Sequence, residues 1–197
     1  FVFVGFITCL SYRIIIDKIP LHTIMNSIFS LFLLQMSGLP MSKINNQTWY
    51  LSVMLISMFI LYPIIRKKKD KYLNWYCPLI VIMGFGLFTK VFNNFNNLRN
   101  YKIFMYSGFL RGFLEINLGC LVYNISEKIK NLKFTKFQKV AFTIMELFGY
   151  GFTFFIMNTI NTKLDIFIAL ILANSILISF SRVSYLNKIT DKINLKH

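Results

Sequence analysis

"TWYLSVMLISMFILYPIIRKKKDK", residues 48 to 71, opens on an aromatic pair, runs without a charge to Ile65 and stops at a block of cations. A run of this kind fits the hydrocarbon core of a bilayer. A full helical span needs about 20 residues, with a range of about 17 to 25. The cations that follow fit a solvated loop on the cytoplasmic side, where Lys and Arg accumulate. This stretch fixes an orientation, outside to inside, for the rest of the chain.

The composition agrees with it. The chain has 197 residues, of which 56% are hydrophobic and only 15% charged. Soluble domains carry nearer about 25% charge. Twenty-two Phe and ten Tyr add apolar surface that a soluble fold of this length has no room to bury. Seven apolar segments follow one another, roughly 1–16, 20–38, 48–65, 77–93, 103–124, 138–160 and 164–184. Lipid offers no partner for backbone N–H and C=O groups, so the spans must be helical. The alternation of a β-barrel is absent. The expected fold is all-α, a polytopic transmembrane bundle with about 6–7 spans of about 20 residues each. Residues 1–197 read as a single transmembrane domain. Phe1 starts inside an apolar run and "NKITDKINLKH" reads as the start of a loop, so the domain is expected to be cut at both ends.

Alternating the loops explains the net charge of +15. Sixteen of the 22 cations fall on the side of "RKKKDK" and five on the other. That asymmetry gives one orientation, with basic loops in the cytoplasm. The cations face anionic lipid headgroups rather than nucleic acid, because no soluble groove-reading module is present. The outside loops "SKINNQTWY" (42–50) and "NNFNNLRNYK" (93–102) are rich in amides and aromatics. Amides pair with hydroxyls and rings cover the apolar face of a sugar.

Cys9, Cys77 and Cys120 lie in or beside apolar runs, with no CxxC and no Cys/His ligand spacing. They read as small buried hydrophobes, and no metal site is expected. No P-loop, nucleophile elbow or complete nucleophile–base pair occurs.

Charges inside the apolar segments are costly, by about 2.5–3.5 kcal/mol each on insertion scales. "GFLRGFLEINLG" (108–119) places Arg111 and Glu115 four residues apart, on one helical face, where they can pair. Gly108 and Gly112 share that spacing and permit close approach of another helix or a ligand. If the fifth segment starts at 103, Arg111 lies about 12 Å and Glu115 about 18 Å into the membrane. Glu146, in the sixth segment, lies about 12 Å from the opposite side. A polar cavity shared by Glu115 and Glu146 is therefore expected, with a purely structural Arg–Glu clasp as the alternative. Asn117 is a further polar candidate.

"SGLPMSKINNQTWYLSVMLISMFILYPII" (37–65) resembles a stretch of the membrane-bound acyltransferase 3 family, the O-acetyltransferases of cell-surface glycans. Trp49, Tyr50, Leu51, Ser52, Tyr62 and Pro63 match the family pattern. "FLRGFLEINLGCLVY" (109–123) is similar to a later segment, through Arg111, Glu115 and Gly119. Many members carry a glutamate shortly after the Trp. Met54 and its apolar neighbours stand there instead, so no role for that acid carries over.

The resemblance implies transfer of an acyl group, usually acetyl, from cytoplasmic acyl-CoA to a hydroxyl of an extracytoplasmic glycan. Acyl-CoA is then a donor substrate, and no resident cofactor is implied. Arg111 and Glu115 become the catalytic candidates, with Trp49, Tyr50, Ser52, Asn117 and Glu146 as substrate-binding candidates. Members have about ten spans of about 20 residues, and their acyl-transfer histidine lies in the first. His22 does not match that histidine's surroundings, so the resemblance implies a middle portion that is inactive alone. A transporter or flippase for a lipid-linked sugar, or a non-catalytic membrane subunit, are the alternatives.

Overall fold

The computed structural model describes residues 2–17, 32–34, 49–92, 100–102, 105–159 and 165–187. Among these the chain is mostly helical. Helix α1 is Val2–Asp17 and α2 is Trp49–Lys71. A π-helical turn, Tyr72–Tyr76, joins α2 to α3, Cys77–Phe92. Two short antiparallel strands, β1 Tyr101–Lys102 and β2 Met105–Tyr106, pair Tyr101 with Tyr106. Helix α4 is Ser107–Lys130, α5 is Lys136–Thr159 and α6 is Asp165–Phe180.

Two stretches, Trp49–Phe92 and Lys136–Ile156, are long and apolar enough to cross a membrane. Among the described residues no others meet both conditions, so the expectation of six or seven spans goes beyond them. Helices α1 and α6 are apolar but have 16 residues each. At about 1.5 Å per residue their described parts reach about 24 Å, and the residues that follow Asp17 and precede Asp165 lie outside the described ones. Helix α4 has the length, but Arg111, Glu115, Glu127, Lys128 and Lys130 dilute its apolar character. The expected second segment, 20–38, lies outside the described residues apart from a turn at 32–34.

The cation block is also not a loop. Helix α2 continues through Pro63 into it and is interrupted only at Lys68, with φ −141° and ψ 49°. Residues 66–71 are solvent-exposed and otherwise helical, so repulsion among neighbouring ammonium groups is relieved by solvent rather than by unwinding.

The chain divides into two compact units. The first comprises Phe1–Lys69 and Met83–Ile116. In it α2 buries Ser52, Val53, Ser57 and Leu61 and turns Met58, Phe59 and Tyr62 outward, with Phe59 80% exposed. Small polar residues inside and large apolar ones outside reverse the pattern of a soluble helix and match helix packing in lipid. A Cβ on Gly112 would stand 2.7 Å from Val53 Cγ1, so α2 and α4 meet at bare backbone. Gly84 of α3 likewise lies against the side chain of Leu114.

The second unit comprises Asp70–Ile82 and Asn117–His197. The π turn is fixed to α4 by a buried polar network. The Tyr72 hydroxyl donates to Asn117 Oδ1, and Cys77 Sγ lies 3.1 Å from the Asn117 carbonyl. Asn124 Nδ2 reaches the Leu73 carbonyl at 3.3 Å, and Lys128 Nζ reaches Asn74 Oδ1 at 2.7 Å. Cys9, Cys77 and Cys120 are all free thiols.

Helix α5 starts on a capping box. Thr135 N–H donates to Gln138 Oε1 at 2.9 Å, and Gln138 N–H points back to Thr135 Oγ1 at 3.4 Å. The helix then packs along α6, with Gly149 against Ser175 and Ile171. Helix α6 ends at Phe180, and Arg182 adopts a left-handed φ of 54°. The chain folds back so that Tyr185 N–H donates to Thr143 Oγ1 at 3.0 Å.

Candidate functional site

The hairpin aims the start of α4. Ser107 is buried and its N–H donates to the Asn100 carbonyl at 2.9 Å. Helix α4 begins at Ser107 rather than near 103, so Arg111 lies one turn inside the helix, about 6 Å from its start, and Glu115 about 12 Å. Both therefore lie nearer the start of their helix than the apolar run alone suggests.

Arg111 Nε donates to Glu115 Oε1 at 2.8 Å, with the two side chains 27% and 25% exposed. The i,i+4 spacing thus produces the expected pair. Its order is the unfavourable one for helix stability. A cation near the N-terminus is opposed by the positive end of the helix macrodipole, and an acid placed before a base is the better arrangement. Helix stability therefore does not explain why Arg111 precedes Glu115.

Beside this pair stands the start of α2. Gly112, next to Arg111, is where α4 meets Val53. Tyr50 lies one turn before Val53 and within the electrostatic field of Glu115. Trp49 meets Tyr50 edge to face, with centroids 5.6 Å apart and planes at 86°. Trp49 is half-buried and Tyr50 is exposed at its edge. Ser52 is fully buried beneath them. One unit thus brings together Arg111, Glu115, Trp49, Tyr50 and Ser52. Met54 faces outward.

The remaining candidates belong to the other unit. Asn117 is fully buried, and both its side-chain and backbone oxygens serve the π turn. Its polarity is thereby explained by packing. Glu146 is buried on α5. The Asn-rich stretches 42–47 and 93–99 lie outside the described residues.

Two groups carry more weight than the sequence reading gave them. Ser57 is buried on α2 with no partner for its hydroxyl. Tyr72 looks in the sequence like one aromatic among several after the cations, and only the π turn reveals its aim. The signal for Ser57 is the pair of serines, Ser52 and Ser57, within an otherwise apolar span.

Among the described residues no cluster of three His, Cys, Asp or Glu is placed to hold a metal. Chemically, the α2–α4 site offers a half-buried guanidinium, a carboxylate that orients it and an adjacent aromatic edge. Comparisons with family models, with curated proteins and with solved structures find no match to this chain.

Proposed function

We propose that this chain is the central part of a multi-pass membrane O-acyltransferase. It moves an acyl group, most simply acetyl, from acyl-CoA to a hydroxyl of an extracytoplasmic glycan. The observation that supports the reading is the placement of the Arg111–Glu115 pair beside Trp49 and Tyr50. These are also the residues that carry the family resemblance.

In this reading the chain is a polytopic bundle. Helices α1 and α6 add to the two stretches able to span a bilayer, and the basic segments 66–71 and 128–139 face the cytoplasm. Donor and acceptor sit on opposite sides of the membrane and meet at a polar site between. Glu115 fixes the Arg111 guanidinium, which binds a CoA phosphate or the oxyanion of the tetrahedral intermediate. Preorganised donors of this kind contribute most where charge develops in the transition state. The Trp49–Tyr50 edge covers the apolar face of the acceptor sugar. The acceptor's proton leaves to a base supplied outside residues 1–197. A sugar flippase would use the same aromatic edge but no acyl donor.

The test is transfer of labelled acetyl from acetyl-CoA to surface glycan, in cells expressing the complete reading frame around residues 1–197. Transfer that disappears with Arg111→Ala, while membrane insertion persists, supports the reading. Transfer unchanged by Arg111→Ala rejects it, and absence of any acetyl-CoA turnover in the parent protein rejects it in favour of a flippase.

A further inference from the structure

The α5–α6 pair holds a carboxylate that the acyl-transfer reading does not use. Glu146 is 3% exposed, and its Oε2 is buried without a hydrogen-bond partner. Two contacts bracket it along the antiparallel pair. Gly149 lies against Ser175 on one side, and Tyr185 N–H reaches Thr143 on the other. Glu146 therefore stands opposite the last turn of α6 and the Ser179–Ser181 segment.

Four hydroxyls on these two helices and the turn after α6 give their protons to backbone carbonyls, while that of Tyr150, one turn on from Glu146, pairs with Ser179. Thr143 Oγ1 donates to the Lys139 carbonyl at 2.7 Å and Thr153 Oγ1 to the Gly149 carbonyl at 2.8 Å. Ser175 Oγ donates to the Ile171 carbonyl at 3.1 Å and Ser181 Oγ to the Ile178 carbonyl at 2.9 Å. What these oxygens turn outward is lone pairs. The C-terminus of α6 adds the negative end of a helix macrodipole. Neither Lys139, two turns before it on α5, nor the exposed Arg182 just past α6 forms an ion pair with Glu146. A buried carboxylate beside a negative helix end, with no donor on its Oε2, is strongly unfavourable unless a cation or a proton neutralises it.

We infer that Glu146 is the anchoring ligand of a binding site for a monovalent metal cation, between α5 and the end of α6. The donor set is oxygen only, which selects a hard cation. One carboxylate balances one positive charge. A divalent ion needs more acids than the described residues provide here. The inference does not rest on the acyl-transfer reading, and its test does not measure transfer.

The full chain, purified in detergent, is heated in LiCl, NaCl or KCl and in N-methylglucamine chloride at equal ionic strength. One of the alkali cations is expected to raise the Tm saturably over N-methylglucamine, and Glu146→Gln to abolish that rise. In parallel, a hydrophobic carbodiimide is expected to modify Glu146, and the same cation to slow the reaction. At a cation concentration ten times its Kd the slowing is about tenfold. The second measurement uses wild-type protein, so it stands even if Glu146→Gln does not fold. Absence of any cation effect on both measurements overturns the site. So does an equal Tm shift in Glu146→Gln. Carbodiimide modification that no cation slows also overturns it, and points to a carboxyl that holds only a proton.

Discussion

Gly112 on α4 lies against Val53 on α2, so that a Cβ at position 112 would stand 2.7 Å from Val53 Cγ1. Valine is β-branched and fully buried here, so its methyl cannot swing aside cheaply. This contact holds the start of α2 beside the helix that carries the Arg111–Glu115 pair, and it gives a stability prediction with a change of sign. Gly112→Ala gains about 1 kcal/mol of helix propensity and loses about 1–3 kcal/mol to overpacking. The net effect is destabilising by up to about 2 kcal/mol. In a Val53→Ala background the clash is gone and only the helix gain remains. Thermal unfolding of the four proteins in detergent, as a double-mutant cycle, measures this. A Gly112→Ala effect of the same sign in both backgrounds means that the contact does not form.

The Arg111–Glu115 pair gives a second prediction. Loss of a preorganised charge-stabilising donor costs about 10²–10³ in turnover. Arg111→Ala is therefore expected to reduce acetyl transfer by that factor. Arg111→Lys is expected to rescue little, because an ammonium lacks the planar fork that Glu115 orients. Glu115→Gln leaves a hydrogen bond but no charge and falls between. Stability moves little in all three, since partly exposed i,i+4 pairs contribute about 0.3–0.5 kcal/mol. Labelled transfer and Tm measured on the same preparations separate the two effects. Parallel loss of both quantities would show a structural clasp instead of a site.

Tyr72 and Asn117 carry the third. The Tyr72 hydroxyl is the donor to a fully buried amide oxygen. Tyr72→Phe leaves that oxygen unsatisfied, at a cost of about 1–3 kcal/mol. Replacing both partners, as Tyr72→Phe with Asn117→Leu, is expected to cost less than the sum of the single changes, because no orphaned group remains. Denaturation midpoints of the set decide it, and simple additivity would place the two groups in separate environments.

What the sequence discloses is limited by what hydropathy can see. The apolar character of Leu51–Ile65 and of Val140–Ile156 is enough to mark helices that fit a membrane, since in lipid no other backbone arrangement satisfies its own hydrogen bonds. The i,i+4 geometry of Arg111 and Glu115 is equally legible, because helix periodicity alone brings them together. Helix ends are not. The strands Tyr101–Lys102 and Met105–Tyr106 take residues that hydropathy assigns to a span, so α4 starts at Ser107 and shifts toward Lys130. "RKKKDK" looks like a loop because it is charged, yet exposed cations are compatible with helix, and only the backbone at Lys68 departs from it. The roles of Asn117 and Tyr72 depend on a partner 45 residues away, which no local pattern contains.

The exposed cations of α2 give the last prediction, because the functional reading requires them on the donor side of the membrane. Residues 66–71 are solvent-exposed, and the hairpin residues Tyr101 and Lys102 are exposed as well. In a cysteine-free background a thiol at Lys69 and a thiol at Lys102 should react from opposite sides of the bilayer. A membrane-impermeant maleimide added to intact cells is expected to label Lys102→Cys and to leave Lys69→Cys unlabelled until the membrane is opened. In the proposed topology Lys and Arg are retained in the cytoplasm, and one crossing through Tyr72–Phe92 separates residue 69 from residue 102. Labelling of both positions in intact cells would place the cation block outside. Acyl-CoA would then have no basic face to approach, and the acyl-transfer reading would fall along with the orientation.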